Sequence, residues 1–213
     1  DMGGPAFHPK NNQEAMFLIA LCNSIFSETA LKVLNPTLNL QTNDVKSIPI
    51  CKLEDSTKED IVDLTRECID ISKEDWEAYE GNRGFRNFQL IAKGDEAERS
   101  MRSSFNSLKE GVQRQVKRAQ TLEESINNIF INAYQLQHEL GSSVPLTKIT
   151  LTNNPIYRYG GDGSDEEKWD RFQSDSMSEL LSYATGCMMG RYSLDHAGLI
   201  LADSRNDQDE QLA

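Results

Sequence analysis

Between residues 95 and 140 the apolar side chains of Met101, Phe105, Leu108, Val112, Val116, Ala119, Leu122, Ile126, Ile129, Ala133, Leu136 and Leu140 recur at steps of three and four. Their mean spacing falls between the roughly 3.5 residues of a coiled coil and the roughly 3.6 of a free helix. A stripe of that length must lie against other helices, which directs the chain toward a mainly α fold. One long helix fits the pattern, and so does an antiparallel helix pair joined near residues 119–121. Gly141 marks the expected C-terminal end.

The flanking segments fit the same class. Residues 12–34 form a strongly helical run, apolar nearly all round through Ala15, Met16, Phe17, Leu18, Ile19, Ala20 and Leu21, and Asn35-Pro36 stops it. Residues 38–50 read as extended, with Val45, Ile48 and Ile50 apolar and Pro49 suited to an edge. Thr57 and Asp60 predict the cap of another helix, on which Ile61, Leu64, Cys68 and Ile71 share a face. Trp76 and Tyr79 close it before a turn at Gly81-Asn82-Arg83-Gly84. Residues 144–151 predict a short strand, residues 152–168 an open loop, and residues 176–192 a final helix. In that helix Ser182, Gly186 and Gly190 form a small-residue groove open to a partner helix. The expected fold is therefore mainly α, a long helix or helix pair with a small β element and no Rossmann-like core.

Charge and composition narrow the function. Hydrophobic residues are 38% of the 213 and the net charge is −12. That gives a sparse core and a surface that as a whole repels nucleic acid and membrane. Six cations (Arg99, Arg102, Lys109, Arg114, Lys117 and Arg118) nevertheless stand against the single acid Glu110 over residues 99–118. Such a helix face can follow phosphates; the alternative is a solvated face paired to acidic neighbours. The four cysteines lack CxxC spacing and the three histidines are scattered. Buried thiols in a reducing cytoplasm are therefore expected, with no metal centre and no catalytic constellation. No leader and no long apolar run is visible, so no membrane partner is expected. The glycine-rich stretch 160–167 is too acidic to cradle a phosphate. The opening residues 1–5 read as a cut end, and residues 201–213 read as a disordered tail.

Asn154-Pro155-Ile156-Tyr157 approaches the Asn/Asp-Pro-Pro-Tyr/Phe loop with which amino-methylating enzymes hold a flipped base. The second proline is absent, and no glycine-rich turn for S-adenosylmethionine precedes it. The segment is thus expected to shape a turn.

Three stretches, 35–50, 154–160 and 182–195, resemble in order and spacing the PglX-type adenine-specific DNA methyltransferases of bacterial phage-defence (BREX) systems, in the region downstream of their catalytic domain. The similarity covers residues 12–75 and 122–200 and is poor between residues 83 and 121. It implies a parent enzyme that uses S-adenosylmethionine to methylate adenine N6 in double-stranded DNA, whose catalytic Asn-Pro-Pro-Tyr lies upstream. The chain itself would hold no cofactor and no catalytic residue, and other phage-defence subunits are a second class of partner. Residues 1–54 resemble the close of a target-recognition region, and residues 55–200 a helical C-terminal domain. Asn154, Pro155, Tyr157, Arg158 and Tyr159 match a later family motif whose role the resemblance does not supply.

Overall fold

A computed structural model describes residues 8–37, 41–91 and 100–200. Its helices are α1 (Asn12–Asn23), α2 (Ile25–Leu34), α3 (Thr42–Lys46), α4 (Asp55–Glu77), α5 (Met101–Ala133), α6 (Pro155–Tyr159) and α7 (Asp165–Met188), with a 3-10 turn at Leu146–Lys148. The fold is mainly α, as expected. The small β element is not: no strand occurs among the described residues. Residues 42–46 coil into α3, and residues 146–148 close a 3-10 turn between Pro145 and Ile149. Neither segment has a strand beside it to take its ladder bonds. Residues 38–40, Arg99 and the acidic tail 201–213 lie outside the described residues.

The chain divides into two compact units. Unit 1 comprises residues 1–71 and 116–149, and unit 2 residues 72–115 and 150–213.

In unit 1 the core gathers Ala20, Leu21, Phe26, Ile48, Ile61, Ile126 and Phe130. The expected helix over 12–34 is broken in two, with a bend of 64°. Ser24 takes an extended conformation, and its hydroxyl accepts from Ser27 N–H to cap α2. Asn127 Oδ1 satisfies the freed N–H of Ile25 at 2.9 Å. Serine competes in this way because its side chain can replace a backbone partner. Helix α4 begins at Asp55, with Lys58 N–H donating to the Glu54 carbonyl, so Thr57 lies within the first turn and is not the cap.

The long stripe resolves as one helix, α5, but it stops at Ala133, before Gly141. Gln135 adopts φ 59°, Leu136 N–H donates to Ile131 O, and Gln135 N–H to Asn132 O. This is a Schellman end built without glycine. Tyr134 stacks on Phe26 with centroids 3.6 Å apart, and its hydroxyl holds Pro49 O and Cys51 N–H.

Burial raises the Glu123 carboxyl on α5 to about 7. The folded chain therefore keeps a proton there that the unfolded chain has already released. Stability from this group is highest at low pH and falls as pH rises between about 4.5 and about 7. We expect thermal melts of the wild type to lose stability across that window. Glu123→Gln should flatten this slope and be the more stable form above pH 7. An unchanged pH slope in the variant would show that Glu123 is not its source.

In unit 2 the buried aromatic residues Phe85, Phe88, Phe105, Phe172, Tyr183 and Tyr192 supply most of the core. Helix α7 starts at Asp165, eleven residues before the expected position. Ser164 accepts from Glu167 N–H while the Glu167 carboxylate reaches back to Ser164 N–H, a complete capping box. No single helix among the described residues is long and apolar enough to cross a membrane.

Candidate functional site

The richest polar cluster lies in unit 2, around the Asn154 motif. Asn154 is 1% exposed and caps α6, its Oδ1 accepting from Ile156 N–H at 3.1 Å. Pro155 occupies the first turn of α6, where its missing N–H costs nothing. The asparagine oxygen that an amino-methylating loop would offer to a base is thus turned into the helix end. Tyr157, by contrast, is 43% exposed and faces outward.

Asp75 anchors this turn from α4. Its carboxylate, on a residue only 4% exposed, accepts from Thr152 N–H at 2.7 Å and Asn153 N–H at 2.8 Å. Sequence reading missed Asp75, because among the acids of α4 nothing local distinguishes one whose partners lie 77 and 78 residues away. The one clue is its step of four from Ile71, which places it on the apolar face.

Arg158 ties the turn to α7. It donates to Glu179 Oε1 at 3.1 Å, lies 3.5 Å from Asp175 Oδ2, and donates to the Tyr79 hydroxyl at 3.2 Å. Its guanidinium also lies over the rings of Tyr79 and Tyr159, and Arg171 covers Tyr159 at 4.6 Å. The Tyr159 hydroxyl donates to Asp175 at 2.7 Å. Burial pushes both phenols, Tyr79 and Tyr159, well above the ordinary tyrosine range. They stay protonated and can only act as neutral hydrogen-bonding groups. The cluster therefore fastens α4, α6 and α7 together.

The 182–195 motif builds a chain reversal. Helix α7 ends at Met188, so Gly190 lies outside it, with φ 77°. Arg191 N–H returns to Gly186 O at 2.8 Å, which brings Tyr192 back over α7. A Cβ on Gly186 would lie 2.7 Å from the Tyr192 ring. The ring stacks on Tyr183 at 5.2 Å and meets Phe85 edge-on at 5.4 Å. Ser182 donates to Glu80, which also receives Arg191. The small-residue groove expected to be open is filled by the chain itself, because the reversal at Gly190 turns Tyr192 into it.

The cationic residues sit on α5. At about 100° per residue the buried Phe105, Val112, Val116 and Ala119 share one side; Arg114, Lys117 and Arg118 lie away from it, while Arg102 and Lys109 flank its edge. In unit 2, Arg102 is exposed, with no ion pair to any described residue. Lys109 lies 4.9 Å over the Trp169 ring, and Arg114 is 3.9 Å from Glu110. In unit 1, Lys117 donates to Gln120, whereas Arg118 makes a fork onto both oxygens of Glu67 at 2.5 Å. The face is therefore mixed. Arg118 is engaged within the protein, while Arg102 and Lys117 remain without a carboxylate partner among the described residues. No group of three or more His, Cys, Asp or Glu residues able to hold a metal occurs among the described residues.

No protein-family model matches the chain. Two curated proteins do. The adenine-specific methyltransferase BrxX of Escherichia coli O9:H4 (strain HS) is 34% identical over the whole chain, and the adenine-specific methyltransferase PglX of Lacticaseibacillus casei (strain Zhang) is 26% identical over 95% of it. The chain spans 17% and 15% of the length of these relatives.

Proposed function

We propose, from the premise that the chain is homologous throughout to the adenine-specific methyltransferases BrxX and PglX, that it is a non-catalytic segment of a site-specific adenine-N6 DNA methyltransferase of a BREX-type defence system. The parent would draw its methyl group from S-adenosylmethionine at a catalytic domain upstream. This segment serves as scaffold and holds duplex DNA by its backbone. One observation carries the scaffold reading: Asn154, the residue nearest in kind to a catalytic amide, is buried and committed to the N-terminus of α6. A base has no access to an amide that is 1% exposed and already holds the Ile156 N–H.

The DNA-positioning part rests on the solvent face of α5. Arg102, Arg114 and Lys117 are exposed there, and holding phosphates needs reach and charge without base readout. In the full enzyme, changing Arg102, Arg114 and Lys117 together to glutamine should weaken DNA binding at all sequences alike. The salt dependence should flatten by about 0.9 in log–log slope for each phosphate that the helix no longer neutralises. Arg118→Gln alone should change affinity less, since Glu67 already occupies its guanidinium. An unaltered affinity and slope in the triple variant would rule out DNA binding by this helix.

A further inference from the structure

The amide of Asn153 has one end that the protein does not satisfy, and it borders a cavity of about 10 Å3 in unit 2. Tyr79 Oη accepts from Arg158 at 3.2 Å and donates its own proton to Asn153 Oδ1, 2.9 Å away. Asn153 Oδ1 is therefore the acceptor facing Tyr79, and Nδ2 faces away from it. Asn153 is 3% exposed, and its Nδ2 meets no acceptor among the described residues. A buried amide donor without a partner is strongly disfavoured, so the surroundings must supply an acceptor.

The cavity wall offers one. Asn153, Tyr79, Gln89, Ser176 and Glu179 line it on the polar side, with Phe88, Leu108 and Phe172 among the apolar remainder. Of these, the Glu179 carboxylate keeps lone pairs beyond its bond from Arg158. The space accommodates about one water, and two to four polar partners are what a buried water requires.

We propose that this cavity is a specific site for a single ordered water. The water accepts from Asn153 Nδ2 and donates toward Glu179, closing a ring of hydrogen bonds through Arg158, Tyr79 and Asn153. Each member of such a ring polarises the next, so the water would be long-lived and part of the fold. The site is independent of the role assigned above to the cationic helix.

Two measurements on the intact chain test this. A crystal structure at about 1.5 Å should show one water at about 2.7–3.2 Å from Asn153 Nδ2. Water–protein NOE spectroscopy should give a cross-peak from a long-lived water to the Asn153 side-chain amide. In Ser176→Val, which puts carbon where the hydroxyl lines the cavity, that cross-peak should vanish while the amide resonances persist. A dry cavity in the wild-type crystal would overturn the proposal, as would an Asn153 amide nitrogen bonded directly to a protein acceptor. The wild-type crystal decides the matter even if the valine variant does not fold.

Discussion

Replacing Gly186 with alanine is expected to destabilise unit 2 by about 2 kcal/mol or more, and replacing it with leucine to prevent its folding. The reason is local and severe. The new Cβ would stand 2.7 and 2.9 Å from two carbons of the Tyr192 ring, and the ring has nowhere to retreat. Tyr183 stacks against it and Phe85 meets it edge-on. Removing the ring instead, in Tyr192→Ala, should cost about 3–5 kcal/mol as a cavity opens between Phe85 and Tyr183. The two changes are coupled, so Gly186→Ala combined with Tyr192→Ala should lose clearly less than the sum of the separate effects. Chemical denaturation of the variants checks this. Strict additivity would show that Gly186 and Tyr192 do not touch. An open docking groove predicts something else: Gly186→Leu folding normally while a partner fails to bind.

The second large effect is expected at Asp75. Asp75→Ala removes the acceptor of two backbone N–H groups, of which that of Asn153 is buried. Each unsatisfied buried donor costs roughly 1–3 kcal/mol, and the Thr152 group, closer to the surface, recovers part of its loss to water. A net loss of about 3 kcal/mol follows, and Asp75→Asn, which keeps one acceptor oxygen, should lose about half of that. Hydrogen exchange supplies the specific readout. The amides of Thr152 and Asn153 should lose protection in Asp75→Ala, while Ile61 and Phe130 in unit 1 keep theirs. Equal protection at Thr152 and Asn153 in both proteins would mean that the carboxylate is not their partner.

What the sequence revealed, and what it hid, divides along the range of the interactions. The helix α5 was legible because its apolar period is a local property repeated along its whole length. Its end was not, since Gln135 adopts a left-handed conformation for which the sequence shows no glycine. The break at Ser24 was hidden inside a run whose apolar residues continue straight through it. Half of the capping there comes from Asn127, more than a hundred residues away. Ser164 was different. The capping box Ser164-Asp165-Glu166-Glu167 was present to be read, and the acidic, glycine-rich context made the stretch look like open loop. In the 182–195 motif, the four-residue repeat of Ser182, Gly186 and Gly190 marks close packing at Gly186 alone, since Ser182 is exposed and Gly190 lies beyond the helix end. It could not say that the packed group is the chain's own Tyr192. Asn154 was expected to shape a turn, and its side chain does so as a helix cap. The groups that fasten its neighbours, Asp75 on Thr152 and Asn153, and Tyr79 and Glu179 on Arg158, come from other parts of the chain and carry no local signature. The cationic run was visible as charge alone. Only the folded neighbours separate Arg118, forked onto Glu67, from Arg102, which no described carboxylate meets.

A single substitution at Asn154 bears most directly on the claim that this segment supports the methyltransferase without entering its chemistry. Serine caps helices about as well as asparagine, so Asn154→Ser should leave α6 in place. It would nevertheless remove the amide that a base-gripping loop needs. The measurement is the kcat/KM for adenine methylation by the full-length enzyme carrying Asn154→Ser, with its melting temperature recorded alongside. A purely supporting role predicts a rate within about threefold of wild type and a small drop in melting temperature, below about 1 kcal/mol of stability. A loss of roughly a hundredfold or more in methylation by a fully folded variant would place Asn154 in the active site and contradict it.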